Sequence, residues 1–373
     1  MLRKILIANR GEIAVRIIRA CAEMGIRSVA IHSEADRYAL HVKKADEAYS
    51  LGSDPLAGYL NVHRIVNLAV ATGCDAIHPG YGFLSENPEL AQACVRRGIT
   101  FIGPSAALIQ RMGDKTEARF AMQKAGVPVT PGTDGNLASE EEALEVAERI
   151  GYPIMLKATS GGGGRGIRRC DSPADLKRNY ERVISEATKA FGRADVFLEK
   201  CVVNPRHIEV QVLADHHGNC IHLYERDCSI QRRNQKLIEI APSPQLDDAQ
   251  RQYVGGLAVL AARAVGYTNA GTVEFLQDAD GRFYFMEMNT RIQVEHTITE
   301  AITGVDLVEE QIRVAAGLPL RYRQDQITRR GFALQFRINA EDPQNSFLPS
   351  FGRISRYYAP GGPGVRTDGA IYT

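Results

Sequence analysis

Three groups of residues in this sequence have types and spacings that can do chemistry. Glu274 and Glu287 sit in two short runs, 271–276 and 282–288, joined by the hairpin-turn text Asp278-Ala279-Asp280-Gly281. If Gln277 opposes Arg282, Glu274 opposes Phe285 and Glu287 is its diagonal neighbour on the same face, about 7 to 8 Å away. Asn289 shares that face. Two carboxylates and an amide at this spacing hold hard cations, which neutralise the phosphates of a nucleotide. A solvated sheet face alternates Glu too, but this register puts Leu276, Phe283 and Phe285 on the same face, where carboxylates need partners. A slip of one residue would remove the inference.

The following text, Asn289-Thr290-Arg291-Ile292-Gln293-Val294-Glu295-His296, places Arg291, Gln293 and Glu295 on one side if it is extended. A cation, an amide and a base then point together, a set able to hold a small oxyanion while Glu295 takes its proton. The same residues also suit a surface ion pair worth at most ~1 kcal/mol. Spacing alone does not decide between the two.

The third group is Gly161, Gly162, Gly163, Gly164 and Gly166, which follow a strand ending in Lys157 and Ala158. Glycine lets the backbone approach a ligand and present its amides, and the lysine adds a point charge for phosphate oxygens. Most glycine runs are linkers, but linkers seldom join two regular elements beside a lysine like this one. The run is not a Walker A loop, because Lys157 precedes the glycines; Asn9-Arg10-Gly11-Glu12 does not supply GxGxxG either, which disfavours a dinucleotide there.

The elements that must position these groups change in kind along the chain. Apolar runs at 5–8, 29–31, 76–78 and 100–102 alternate with amphipathic helices at 12–24, 62–71 and 89–97, the pattern of a parallel sheet covered by helices. Gly25 suits a left-handed cap on the first helix. This predicts a Rossmann-like unit over 1–113, then a connecting helix at 115–124 within 114–130. A small α+β lid is expected over 131–203, with a helix at 140–149, a strand at 154–158 and a charged helix ending near Phe191. From about Asn204 the runs favour Val, Ile, Tyr and Phe and predict a mainly antiparallel sheet over 204–330, with a further unit beginning at 331–373. The fold class is thus α/β and α+β.

The 373 residues suffice for two or three domains, and 44% hydrophobic with 24% charged residues is ordinary globular usage. A formal charge of +1 supplies no bulk field for nucleic acid or an anionic membrane, so a bound anion needs a local site. Seven cysteines, odd in number and without CxxC, fit neither a disulfide framework nor a zinc site and point to a reducing compartment. With no signal-peptide core or membrane-spanning run, the expected location is the cytoplasm.

Longer strings carry a resemblance. Residues 7–14 (IANRGEIA), 78–87 (HPGYGFLSEN), Lys157 with the glycine run, 225–233 (ERDCSIQRR), 287–296 (EMNTRIQVEH) and 337–343 (RINAEDP) resemble the biotin carboxylase family of ATP-grasp enzymes, in the family's order and over essentially the whole chain. The resemblance implies an ATP-grasp fold with an N-terminal Rossmann-like domain, a lid and a C-terminal antiparallel-sheet domain. It implies ATP-dependent carboxylation, by bicarbonate through carboxyphosphate, of biotin tethered to a carrier. ATP would be bound by Lys115, Lys157, the glycine loop, Glu199, Lys200, Val202, His207, Gln231 and Leu276, with Mg2+ or Mn2+ held by Glu274 and Glu287. Lys236, Arg291, Gln293, Val294 and Glu295 would bind bicarbonate, with Glu295 as base, and Arg337 would stabilise the biotin enolate. Arg19, Glu23 and Arg366 match positions of the family's homodimer interface.

Thr297, Glu239-Ile240-Ala241-Pro242 and Asn269-Ala270-Gly271-Thr272-Val273 resemble the pyruvate carboxylase branch, whereas Asn234 departs from the His common in the acetyl-CoA carboxylase branch. No transferase or biotin-carrier text is present, so a separate subunit is expected to supply both. The text reaches Thr373 soon after Arg366, where relatives run on, and this predicts an incomplete C-terminal domain. The competing expectations are the biotin carboxylase subunit of an acetyl-CoA or other acyl-CoA carboxylase, another ATP-grasp ligase that activates a carboxylate without biotin, and, from another class, an ATP-binding module without turnover.

Overall fold

Ile5, Leu6 and Ile7 have no exposed surface, and a run apolar on both faces is what a strand needs inside a parallel sheet covered on both sides. The computed structural model describes residues 2–133, 135–159, 166–191, 195–350 and 352–371. Its first unit contains β1 (Lys4–Ile7), α1 (Gly11–Glu23), β2 (Arg27–His32), α2 (Leu40–Lys44), β3 (Glu47–Ser50), α3 (Val62–Ala71), β4 (Ala76–His78), α4 (Pro88–Arg96), β5 (Thr100–Phe101) and α5 (Ala106–Gly113). The strands form one parallel sheet in the order β3-β2-β1-β4-β5. Ile5 and Ile7 pack with Ile13 and Ile17 of α1, while Leu6 and Ala8 face Ile65 of α3 and Leu90 of α4.

Gly25, at φ +68°, closes α1: its amide reaches Ala22 and that of Ile26 reaches Cys21, a Schellman pair that needs the left-handed residue the sequence supplies. β3 is not expected from the sequence, because this half-exposed strand has no apolar run.

α6 (Lys115–Lys124) follows, capped by the Asp114 side chain. The next unit has α7 (Glu140–Ile150), β6 (Ile154–Ala158), β7 (Ile167–Cys170), α8 (Pro173–Phe191) and β8 (Val196–Lys200). Its strands form an antiparallel sheet, β7-β6-β8. Leu156 and Leu198 of that sheet pack with Val146, Leu176 and Val183 of α7 and α8.

The largest sheet contains β9 (Arg206–Ala214), β10 (Cys220–Arg232), β11 (Gln235–Ala241), β12 (Asn269–Gln277), β13 (Phe283–Asn289) and β14 (Ala333–Phe336), with α9 (Asp248–Ala264), α10 (His296–Thr303) and α11 (Leu307–Ala315) between them. It is antiparallel, in the order β13-β12-β9-β10-β11-β14. The sheet is the one expected within 204–330, except that its edge strand β14 comes from the stretch expected to begin the next unit and pairs with β11; the three helices are additions to it. α9 carries Val254, Leu257, Ala258 and Ala261 at helical spacing, a signal diluted by Gly255 and Gly256.

α9 and α6 cover one face of this sheet, burying Val210, Val212, Val273 and Phe275 in a single core. That leaves the opposite face of the inner strands for polar side chains. Leu213 and Ala270 share a core with α1 and with Leu307 and Ile312 of α11, which locks the first unit onto the sheet. The chain ends with β15 (Glu341–Asp342) and β16 (Leu348–Pro349). Among the described residues no helix is long and apolar enough to cross a membrane.

Candidate active site

The register of the β12–β13 hairpin differs from the expected one. Gln277 pairs with Phe283 and Phe275 with Phe285, but Glu274 pairs with Glu287, because Met286 is an extra residue in a bulge. Phe283 and Phe285 therefore point into the core with Phe275, not onto the carboxylate face. After the bulge the alternation inverts, so Glu287 and Asn289 come onto the face of Glu274 and Thr272. The two carboxylates are direct cross-strand partners, closer than the diagonal pair that the unbulged register predicts.

Lys236 of β11 lies at the centre of this face. Its ammonium donates to Glu209 of β9, to Glu274 at 2.9 Å and to Glu295 at 2.9 Å. Burial works against the charged form of Lys236, but the three carboxylates outweigh it and hold the pKa well above the usual lysine value. Burial likewise opposes the charge on Glu274; Lys236 and the 2.6 Å bond to His207 overcome it and push that carboxyl down. Gln231 donates to the other ring nitrogen of His207 at 3.1 Å.

Residues 290–295 form a loop entering α10, not an extended strand, yet Arg291, Gln293 and Glu295 still meet the same face. Arg291 donates to Glu86 and to the side-chain carbonyl of Asn289, each at 2.9 Å. Gln293 donates to Glu274 at 2.9 Å. Val294 lies between Gln293 and Glu295 in the loop. Glu295 is 2% exposed, far from a surface ion pair, and its second oxygen accepts from Arg337 at 2.9 Å. Arg337 also donates to Glu239 at 2.6 Å, while Glu341, its neighbour in sequence, is bound instead by Arg232.

At the other end, β6 and β8 bring Lys157 and Glu199 into an ion pair, and Thr130 donates to the second Glu199 oxygen at 2.9 Å. Lys115, at the start of α6, has its pKa lowered by burial, with the Glu287 charge only partly opposing. Lys200 bonds the carbonyls of Gly151 and Tyr152, each at 2.9 Å. Lys200 and Val202 border a cavity of about 290 Å³ between the end of β8 and the β12–β13 turn. Leu276 lies on the Glu274 face, one residue pair along.

The glycines 161–164 fall outside the described residues. Gly166 lies within them at φ +69°, its carbonyl accepting from the Ala158 amide, and a Cβ there would come within 3.0 Å of the Ala158 side chain.

The residues fit a hard divalent cation. Glu287 is half-buried, accepts no hydrogen bond among the described residues, and has its pKa raised by burial and then by the Glu274 charge. A carboxylate under that pressure, facing another carboxylate, is balanced by a bound cation with oxygen ligands. Asn289 donates to Glu274 at 2.8 Å, and its oxygen is engaged by Arg291.

Sequence reasoning missed Glu86, Glu209, Arg226 and Glu239. The β9 text His207-Ile208-Glu209-Val210-Gln211 alternates strictly, which was a usable sign that Glu209 and Gln211 share the face of His207. Elsewhere, Arg16 donates to Glu300 and Asp306, and Arg366 to Glu300 and Asp368. Arg19 donates to Asp368 at 3.3 Å and not to Glu23, its i+4 neighbour.

A parallel-sheet unit, a small three-stranded unit bearing Lys157 and an antiparallel sheet with opposed carboxylates together define an ATP-grasp ligase. Similarity to known proteins narrows this further. Residues 1–109 match the family described as biotin carboxylase, N-terminal domain; 114–323 match the carbamoyl-phosphate synthase L chain, ATP binding domain; and 335–373 match the biotin carboxylase C-terminal domain. The chain is 59% identical over 370 residues to the 2-oxoglutarate carboxylase small subunit of Hydrogenobacter thermophilus, covering 99% of this chain and 78% of the relative. It is 55% identical over 373 residues to a pyruvate carboxylase subunit of Methanothermobacter thermautotrophicus, covering 100% of this chain and 76% of the relative.

The crystal structure of the biotin carboxylase domain dimer of the H. thermophilus 2-oxoglutarate carboxylase, with MgADP, ADP and bicarbonate, superposes with a TM-score of 0.96 at 58% identity, covering 100% of this chain and 82% of that one. The chain belongs to the biotin carboxylase family, whose members are ATP-dependent ligases.

Proposed function

We propose that the chain carboxylates carrier-bound biotin with bicarbonate and ATP, and that it serves a pyruvate carboxylase whose carrier and transferase lie on a separate polypeptide. The observation that carries this reading is Glu295, buried and held between Lys236 and Arg337 on the face where Glu274 and Glu287 oppose. Lys236, Arg291 and the amide of Gln293 offer donors to a small oxyanion, and the Val294 backbone completes the set. Glu295 takes the bicarbonate proton, so that the oxyanion can attack the terminal phosphorus of ATP, breaking its bond to the bridging oxygen, releasing ADP and forming carboxyphosphate.

Lys115 and Lys157 face the phosphates, the glycine run being the further phosphate-binding candidate, with Glu199, Lys200, Val202, His207, Gln231 and Leu276 around the rest of the nucleotide. Glu274 and Glu287, with Asn289 beside them, hold Mg2+ or Mn2+, which supplies positive charge to the phosphates. Closure of the lid, residues 131–203, excludes water from an intermediate that water would destroy. Arg337 then faces the biotin ureido oxygen as charge develops there.

The surface of Arg19, Glu23 and Arg366, around a cavity of about 200 Å³, is proposed as the contact with a second copy, and the cytoplasm as the location. The pyruvate assignment rests on Thr297 and residues 239–242, together with the likeness to a pyruvate carboxylase subunit. Its test is to mix the chain with a carrier–transferase polypeptide, ATP, Mg2+ and bicarbonate, and to compare acceptors. Oxaloacetate from pyruvate is expected; product only from 2-oxoglutarate or acetyl-CoA would move the chain to another carboxylase.

A further inference from the structure

Arg226, on β10, is among the largest side chains in the molecule with no exposed surface. A guanidinium carries five N–H donors and no acceptor, and each buried donor left without a partner is costly. Here all five are used. Nε donates to Glu209 at 2.5 Å; Nη1 donates to Gln211 at 2.8 Å and Thr299 at 2.9 Å; Nη2 donates to Thr272 at 3.1 Å and Gln293 at 2.8 Å. One side chain thus ties together β9, β12, α10 and the loop that enters α10.

Two of these bonds reach the site without touching its contents. Arg226 can only donate, so Gln293 must turn its carbonyl oxygen inward, and that choice turns its NH2 group toward Glu274 and the oxyanion side. Glu209 is shared in the same way, one oxygen on Arg226 and the other on Lys236. Part of the Glu209 charge that Lys236 would otherwise face alone is thereby met from behind.

We infer that Arg226 is a positioning residue for the bicarbonate step, fixing the amide of Gln293 and the carboxylate of Glu209 so that Gln293 presents its NH2 group, and Lys236 its positive charge, to the oxyanion. The inference rests on the proposed reading of this face as the bicarbonate site. Lysine in its place keeps the charge but has three donors on a single atom, which cannot span five acceptors.

The test is steady-state ADP release with Mg2+ by wild type, Arg226→Lys, Gln293→Ala and the double variant, with KM for bicarbonate and for ATP measured separately. Arg226→Lys is expected to raise the bicarbonate KM at least about tenfold, the scale seen when groups behind a ligand shell are removed, with the ATP KM within about twofold. In the Gln293→Ala background the same change should cost clearly less than in wild type, because one of its two routes is already gone and only that through Glu209 and Lys236 remains. Parallel rises in both KM values, or effects that multiply in the double variant, would overturn the inference. If Arg226→Lys does not fold, Thr272→Val, which removes one acceptor from Nη2, should raise the bicarbonate KM about threefold alone; an unchanged value would count against it. A wild type without bicarbonate-dependent turnover would bring down the reading of the face and this inference together, whereas normal wild-type turnover isolates a failure to Arg226.

Discussion

Two ionic clusters in this molecule use the same residue types to different ends. Around Glu300, every buried carboxylate meets a guanidinium: Arg16 and Arg366 share Glu300, Arg16 also takes Asp306, and Arg366 takes Asp368. Around Lys236, Glu209, Glu274 and Glu295 share one ammonium and are also met by Arg226, His207 and Arg337, whereas Glu287 beside them accepts no hydrogen bond among the described residues. A balanced cluster holds elements together. An unbalanced one, with a carboxyl raised by burial and by its neighbour, is completed by a ligand.

The contrast predicts where substitutions act. Glu295→Gln should lower bicarbonate-dependent ADP release by about 10² to 10⁴-fold with nucleotide affinity nearly unchanged, since the amide keeps the shape but takes no proton. Near-normal release would remove Glu295 from the role of base. Arg337→Ala should slow biotin carboxylation by about 10² to 10³-fold while biotin-independent ATP cleavage falls much less, because its interaction forms only as charge develops. Equal losses in the two assays, with a lower melting temperature, would make Arg337 a structural partner of Glu239. Glu287→Gln should weaken Mg2+ activation by about tenfold, one ligand charge being removed, and a metal titration of turnover reads this directly.

In the balanced cluster the effect should be on stability alone. Glu300→Gln leaves the buried guanidinium of Arg16 short of a partner, a loss of about 3 kcal/mol visible in urea unfolding, with turnover per folded molecule unchanged. Burial opposes the Glu300 charge, but His296, Arg16 and Arg366 hold its pKa below the usual range. That contribution is complete above the unfolded value of about 4.3 and is lost as pH falls below it. Wild type should therefore lose stability in acid more steeply than Glu300→Gln; identical slopes would show that Glu300 is not the group involved.

How much of this was legible in the sequence differs between the two ends of the chain. The parallel sheet could be read because Ile5–Ile7 and Ala76–His78 are buried on both faces, so no register had to be chosen. Lys115–Lys124 and Ile154–Ala158 were likewise set by local pattern and caps. The carboxylate face could not be read as well, because it depends on one bulged residue. The turn register, Gln277 with Phe283, sends the aromatics to the core, and Met286 returns Glu287 to the face of Glu274; only the folded hairpin shows either.

Glu274, Glu287 and Glu295 were legible as acidic residues at suggestive spacing. Their meeting with Lys236 and Arg337 depends on strands distant in sequence, and only the resemblance of long strings to a known family supplied it beforehand. Arg226 was hidden inside one of those strings, since nothing local shows that an arginine in an alternating strand will be fully buried.

The central claim is that the face of Glu274, Glu287 and Glu295 couples ATP cleavage to carboxylation of biotin. The most direct measurement is ADP release by this chain with Mg2+ and ATP, adding bicarbonate and free biotin separately and together. ADP release that requires bicarbonate and rises further with biotin is the predicted result. Release that ignores biotin, or ATP binding without turnover, would contradict the claim.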